Sequence, residues 1–167
     1  GMIIVTDKVS EGLTNLSLNK ATEADAYVSD AEAPQFAVDG EKSKKWCATG
    51  KAPHWITIDL GETKTVSEVS ITHAEGGGEG ADMNTMEYII SVSNDGENFT
   101  DLTHVTKNRA GETTDAFKPV EARYVKLTVV KPTQGSDTAA RIYEITDNGY
   151  DGPKSDITAQ VEELLAV

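Results

Sequence analysis

The segment from His54 to Gly61, HWITIDLG, limits the possible folds of this chain more than any other stretch. Ile56, Ile58 and Leu60 fall in one phase, Trp55, Thr57 and Asp59 in the other, and Gly61 ends the run. Successive side chains of a strand leave opposite faces, so this alternation reads as a half-buried antiparallel strand. The pattern returns along the chain. KTVSEVSITH (64–73) puts Val69, Ile71 and His73 in one phase, and YIISVSNDG aligns Tyr88, Ile90 and Val92 before turning at Asn94-Asp95-Gly96. FTDLTHV is a short strand, and KNRAGETTD reads as a loop with Gly111 at its tip. EARYVKLTVVKP sets Val125, Leu127 and Val129 against Tyr124, Lys126 and Thr128; ARIYEIT (140–146) is the last strand, and the first lies near Lys20 to Tyr27. About eight short strands at near-regular spacing, divided by turn residues, define an all-β sandwich. Connections this short exclude parallel crossovers.

Charge narrows the partners. The 167 residues carry 28 acidic and 15 basic side chains, a formal net charge of −13. Such a surface repels nucleic acid and anionic membranes. No apolar run approaches a membrane span, and a single cysteine, Cys47, allows no internal disulfide. Gly1 before Met2 reads as an expression remnant, so the chain is expected to be a piece of a longer protein. The expected organisation is a lead-in over 1–12, one module over 13–147, and a linker over 148–167 that starts a truncated helical region. There Pro153 with Ser155 or Asp156 opens a helix, and Ile157, Val161, Leu164 and Leu165 share one face.

Two features invite a metal. In FAVDGEKSKKW, Phe36 to Trp46, the Asp39-Gly40 pair makes a sharp turn. A turn that tight aims several carbonyls and a carboxylate at one centre, which suits a hard cation such as calcium. The alternative is a plain turn between an apolar anchor and a core Trp. Glu144 sits between Tyr143 and Ile145 in a strand that otherwise reads as core, where a carboxylate needs a partner. Its alternative is a solvent-facing position on an edge strand.

NLSLNKAT, FAVDGEKSKKW, HWITIDLGETKTVSEVSI, YIISVSNDGENFTDL, ARYVKLTVV and ARIYEI, in this order and spacing, resemble the discoidin or coagulation-factor type C domain. The likeness covers roughly residues 13 to 147 and is nearest to carbohydrate-binding module family 32 of bacterial glycoside hydrolases. ITHAEGGGEGADMNT is similar to a subgroup attached to endo-N-acetylglucosaminidase-type chains. The resemblance implies a jelly-roll, galactose-binding-like β-sandwich with one structural calcium ion. It implies as ligands the carbonyls of Phe36, Glu41, Lys44 and Tyr143 and the carboxylates of Asp39 and Glu144. Lys44 stands where the family pattern has a Thr. The resemblance also implies a secreted or cell-surface bacterial protein, with the module a monomeric unit of a multidomain chain and non-catalytic.

Sugars are held by an aromatic ring on their C–H face and by carboxylates, amides, His or Arg on their hydroxyls. The 73–84 loop offers His73, Glu75, Glu79, Asp82 and Asn84, with Gly76, Gly77, Gly78 and Gly80 letting backbone approach a ligand. His73 by its phase is equally a core histidine, and the glycines equally a flexible hairpin. By the family's loops, Tyr27 is the expected aromatic platform, beside Asp30, Lys51, His54 and Arg109; Trp46 is expected in the core. The ligand implied is a terminal galactose or N-acetylhexosamine-type sugar of a glycan. Thr133, Gln134, Gly135 and Ser136 occupy the loop where many such modules carry an exposed Trp or Phe. Catalysis is not expected. His54, His73 and His104 lack metal-site spacing, Cys47 has no base partner in sequence, and a Glu75–Glu79 pair on a Gly-rich loop lacks rigid geometry. The rival reading is a protein-binding or spacer domain without sugar affinity.

Overall fold

The computed structural model describes residues 12–152. The lead-in up to residue 11 and the helix expected after Pro153 lie outside the described residues. The strands are β1 (Thr14–Asn15), β2 (Ala21–Ala24), β3 (Trp46–Ala48), β4 (His54–Thr72), β5 (Glu87–Ser93), β6 (Thr100–Val105), β7 (Glu112–Lys131), β8 (Ala140–Ile142) and β9 (Glu144–Tyr150). Short 3-10 turns occupy Asp30–Glu32, Pro34–Ala37, Glu75–Gly77 and Ala81–Met83.

Two long strands build both layers. The first half of β4 pairs with β2 and with the second half of β7, which continues to β5 and β6. The second half of β4 pairs with the first half of β7 and with β9, and β9 carries β1 on its far side. All these pairings are antiparallel, and β3 with β8 forms a separate two-stranded ribbon. The strands pass between layers where the ladder breaks, between Asp59 and Lys64 and again between Val66 and Glu68. Pro119 sits in the second break, opposite the shift, where no ladder hydrogen bond is asked of its nitrogen.

The inward phases read from sequence form the core. Ile56, Ile58, Leu60, Val69 and Ile71 of β4 meet Ile90 of β5 and Val125, Leu127 and Val129 of β7, all buried, with Trp46 fully enclosed. The strands expected over 54–61 and 64–73 run on as the single β4, and three further boundaries differ from expectation. The loop read over 107–115 ends at Gly111, because Glu112 to Asp115 already pair with β4. The last expected strand splits at Tyr143 and its second part runs on to Tyr150, pairing with Thr65. The first expected strand shortens to Ala21–Ala24.

This topology sorts the loops. His54 pairs with Val129, and Thr72 pairs with both Glu112 and Glu144, so β4 starts and finishes at the same end of the sandwich. The loops over 25–53, 73–86, 106–111 and 132–143 gather at that end. The turns over 61–63 and 94–99 lie at the other.

Candidate functional site

At the loop end, Glu79 is gripped from three sides. Its Oε2 accepts from the Tyr143 hydroxyl at 2.8 Å and lies 3.5 Å from Lys45 Nζ, and its Oε1 lies 3.4 Å from Arg141 Nε. Lys45 also reaches Glu32 Oε1 at 2.8 Å and stands 5.4 Å over the Tyr143 ring; Arg141 donates to Asp137 Oδ2 at 3.0 Å. The ribbon explains the meeting. Trp46 pairs with Ile142 and Cys47 with Arg141, so Lys45, Arg141 and Tyr143 come together at its end. Glu79 arrives on the glycine run. A Cβ on Gly77 would stand 2.3 Å from the Tyr143 ring, so the loop lies flat on that ring only because Gly77 has no side chain. Burial would lower the Lys45 pKa, but the Glu32 hydrogen bond and the charge of Glu79 carry it above its ordinary value. Burial, and then the bond to Glu79, push the Tyr143 phenol up. The cluster is thus a fixed set of charged donors and acceptors, partly open to solvent. Beside it lies an open hollow of about 360 Å3, lined by Asp82, Gln134, Ser136 and Asp137 among others.

The expected ligand residues reach the same end but separate into neighbourhoods. Two are corrected. His73 is 0% exposed; its Nε2 meets Thr113 Oγ1 at 2.9 Å, its ring leans on Tyr88 at 5.6 Å, and burial pushes its pKa down to about 4. It is a core histidine, as its phase allowed, and cannot touch a ligand. Asn84 is also 0% exposed and acts as a loop clamp: Oδ1 accepts from Glu75 N at 2.8 Å, and Nδ2 donates to Arg109 O at 3.0 Å and to Glu75 Oε1 at 3.3 Å. Glu75, Asp30, Lys51 and Arg109 are exposed. Tyr27, 50% exposed, borders a different hollow of about 340 Å3 with Pro34, Gln35 and Trp55. His54 is buried, bonded to Asp25 Oδ2 at 2.8 Å and Thr138 O at 2.9 Å, and ties loops together. The glycine run is committed to packing within the protein: a Cβ on Gly76 would stand 2.6 Å from Thr72 Cγ2.

Sequence reasoning missed Glu32, Lys45 and Arg141. A signal existed for Arg141, which alternates with buried Ile142 in a short strand. Lys45 and Glu32 gave none, because only the tertiary fold brings them to Glu79.

The Asp39-Gly40 turn faces the start of β9. Glu144 is buried, and its Oε2 accepts from Gly40 N at 2.8 Å while its Oε1 has no partner. Burial, and then the charge of Asp39, push the Glu144 carboxyl up to about 8, against the opposing bond from Gly40. Asp39 Oδ1 accepts from Glu41 N at 3.0 Å, and the Lys44 ammonium lies 4.9 Å over the Phe36 ring. Among the described residues no three His, Cys, Asp or Glu side chains form a group able to hold a metal ion. Any ion here would rest on two carboxylates and main-chain oxygens.

The bent-strand sandwich with its loops at one end defines the galactose-binding-like jelly-roll class. Comparison with known proteins gives the family: residues 18–145 match the F5/8 type C domain, and the chain belongs to it. It is 30% identical over 138 residues to the polysaccharide lyase 8 family protein HylA of Enterococcus faecalis, which covers 75% of this chain and 9% of that protein. The chain therefore spans under a tenth of the length of this curated relative. The family 32 carbohydrate-binding module of Streptococcus pneumoniae EndoD superposes with a TM-score of 0.72 at 22% identity, covering 80% of this chain and 98% of that one. Chitosan-binding module 2 of a Paenibacillus sp. IK-5 chitosanase/glucanase, solved with chitotriose, gives 0.71 at 26% identity, covering 81% and 99%. Both solved neighbours are binding modules, and the chain is of that non-catalytic class.

Proposed function

We propose that this chain is a carbohydrate-binding module that holds an attached glycan-degrading enzyme against sugars of the galactose or N-acetylhexosamine type. The observation that carries the reading is Glu79, fixed by Tyr143, Arg141 and Lys45 at the loop end beside an open hollow. A pyranose presents hydroxyls that both donate and accept. A carboxylate already held by the Tyr143 hydroxyl, with the Lys45 and Arg141 cations beside it, answers both needs at little ordering cost on binding. The Paenibacillus neighbour carries chitotriose, which supports an amino-sugar ligand in particular. A shallow site of this kind binds with a dissociation constant of roughly millimolar to micromolar strength. Useful retention then comes from multivalency on a secreted or surface-held enzyme.

The same reading includes a structural calcium ion. The residues fit it: Glu144 has a buried oxygen without a partner, facing the Asp39 turn. Asp39 and Glu144 would supply carboxylates, and Phe36, Glu41, Lys44 and Tyr143 carbonyls. The ion would tie the start of β9 to the turn.

Isothermal titration with galactose, N-acetylglucosamine and chitotriose tests the proposal. Binding of at least one, lost in Glu79→Gln and Arg141→Ala, is expected. Absence of binding, or affinity indifferent to both substitutions, would favour the spacer reading.

A further inference from the structure

The outer face of the five-stranded layer carries a feature that the loop-end site does not use. Trp55, Thr57 and Asp59 of β4 point outward beside Thr128, Lys126 and Tyr124 of β7, rung by rung. Glu23 of β2 flanks Thr57 on one side and Ser91 of β5 flanks Lys126 on the other. Phe99, from the turn before β6, folds over the same face. Of these, Glu23, Trp55, Thr57, Asp59, Tyr124, Lys126 and Phe99 line an open groove of about 610 Å3. Lys126 stands in it with its Nζ 5.2 Å from the Trp55 ring and 5.1 Å from the Phe99 ring.

The charges of the groove are mostly committed. Asp59 takes Arg123 at 2.9 and 3.1 Å, and Asp95 caps its own turn through Glu97 N and Asn98 N, each at 2.8 Å. Lys126 has no carboxylate partner among the described residues. What a ligand meets is the Trp55 and Phe99 rings with the Lys126 ammonium lying over both, and hydroxyl and carboxylate acceptors at the edges. That combination suits a chain of neutral sugar rings, whose C–H faces stack on aromatics and whose hydroxyls bond to either sign. An acidic chain would meet Glu23, Asp59, Asp95 and Glu97, and a basic one Lys126.

The groove is also continuous with the loop end. Thr22, Glu23 and Trp55 line both it and the hollow that Tyr27 borders. Tyr27, Trp55 and Phe99 thus mark a track from the loops down the sheet. The Trp55 to Asp59 stretch alone spans roughly 13 Å at about 3.3 Å per residue, enough for more than one ring.

We infer that the Tyr27–Trp55–Phe99 face is a second carbohydrate-binding surface, which takes consecutive rings of a neutral glycan chain while the loop end takes a single sugar. The inference rests on the reading as a carbohydrate-binding module, yet the two surfaces can be tested apart. Trp46 is fully buried, so among the two tryptophans Trp55 alone reports a ligand stacking on it.

The experiment titrates the full chain with the hexaose and disaccharide of cello-, laminari- and N-acetylchito-oligosaccharides, reading calorimetry and tryptophan fluorescence. At least one hexaose should bind roughly tenfold tighter than its disaccharide, with a Trp55 fluorescence change. Trp55→Ala should bring the hexaose to disaccharide strength and leave the disaccharide unaffected; Glu79→Gln should weaken the disaccharide. Phe99→Ala, away from the β4 ladder, gives a second reading should Trp55→Ala lower the melting temperature. Equal affinity for hexaose and disaccharide, a hexaose indifferent to both aromatic substitutions, or binding confined to an oligogalacturonate control would overturn the inference. Loss of hexaose binding in Trp55→Ala with no effect of Glu79→Gln would uphold this surface and sink the loop-end site. No binding anywhere would overturn both.

Discussion

Asp147 is fully buried on the inward phase of β9, and neither carboxyl oxygen has a partner. Burial pushes its pKa up to about 7. The fold therefore favours the protonated form: the contribution is whole below the ordinary carboxylate pKa of 3.8 and is lost as pH rises towards about 7. His73 acts in the opposite sense. Buried and neutral, it holds its proton only below about 4, so the unfolded chain gains protons first and stability falls as pH drops from 6.5 towards 4. Asp147→Asn should remove the first slope and keep the second. Urea unfolding followed from pH 4 to 8 should then show stability rising to about pH 6.5 and levelling, with a difference from the parent on the order of a few kcal/mol across the range. A parent and variant with parallel profiles would show that Asp147 is solvated or paired. His73 also shows how far phase carries: it shares the parity of Val69 and Ile71, and the parity decided its fate over its chemistry.

Among elements, β4 and β7 carry the fold, and here sequence and structure agree unevenly. The alternating runs in each were legible because one face is buried and a one-residue slip would expose it. Their continuity across two layers was not, since a strand that changes sheets breaks its own period at the crossing. Pro119 in β7 sits at that crossing, in the bulge opposite the Val66–Glu68 shift. The candidate site was legible only where chemistry lies on one loop, as at Glu79; Lys45, Glu32 and Arg141 come from elements far apart in sequence. The outward phase of β4 held a signal that was legible but easily passed over, an aromatic at Trp55 where polar residues alternate. Between β9 and β4, Gly149 lies opposite Val66, and a Cβ there would stand 1.9 Å from Thr65 O. Gly149→Ala should force the strands apart and cost about 2 kcal/mol or more in urea unfolding. A cost within about 0.5 kcal/mol, the usual range for a surface change, would show that β9 leaves the sheet before this rung.

For the whole molecule, the proposed calcium ion makes stability conditional. Adding calcium to chelator-treated protein should raise the melting temperature by roughly 5–10 °C at a hundredfold excess over its dissociation constant. Glu144→Gln should abolish that rise, while magnesium, with its stricter octahedral demand, should reproduce little of it. A melting curve blind to calcium would remove the ion. The pairing of Thr14 with Gly149 has a mechanical consequence. Gly149 and Tyr150 sit opposite Val66 and Thr65, at the pole away from the loops, so the chain enters β1 and leaves β9 side by side. Tension between the start of β1 and the end of β9 would peel rungs off singly, like a zip. A pull between the loop end and either of these chain ends would run lengthwise along β9 and β4 and strain many rungs in shear at once, the direction in which such a body resists best.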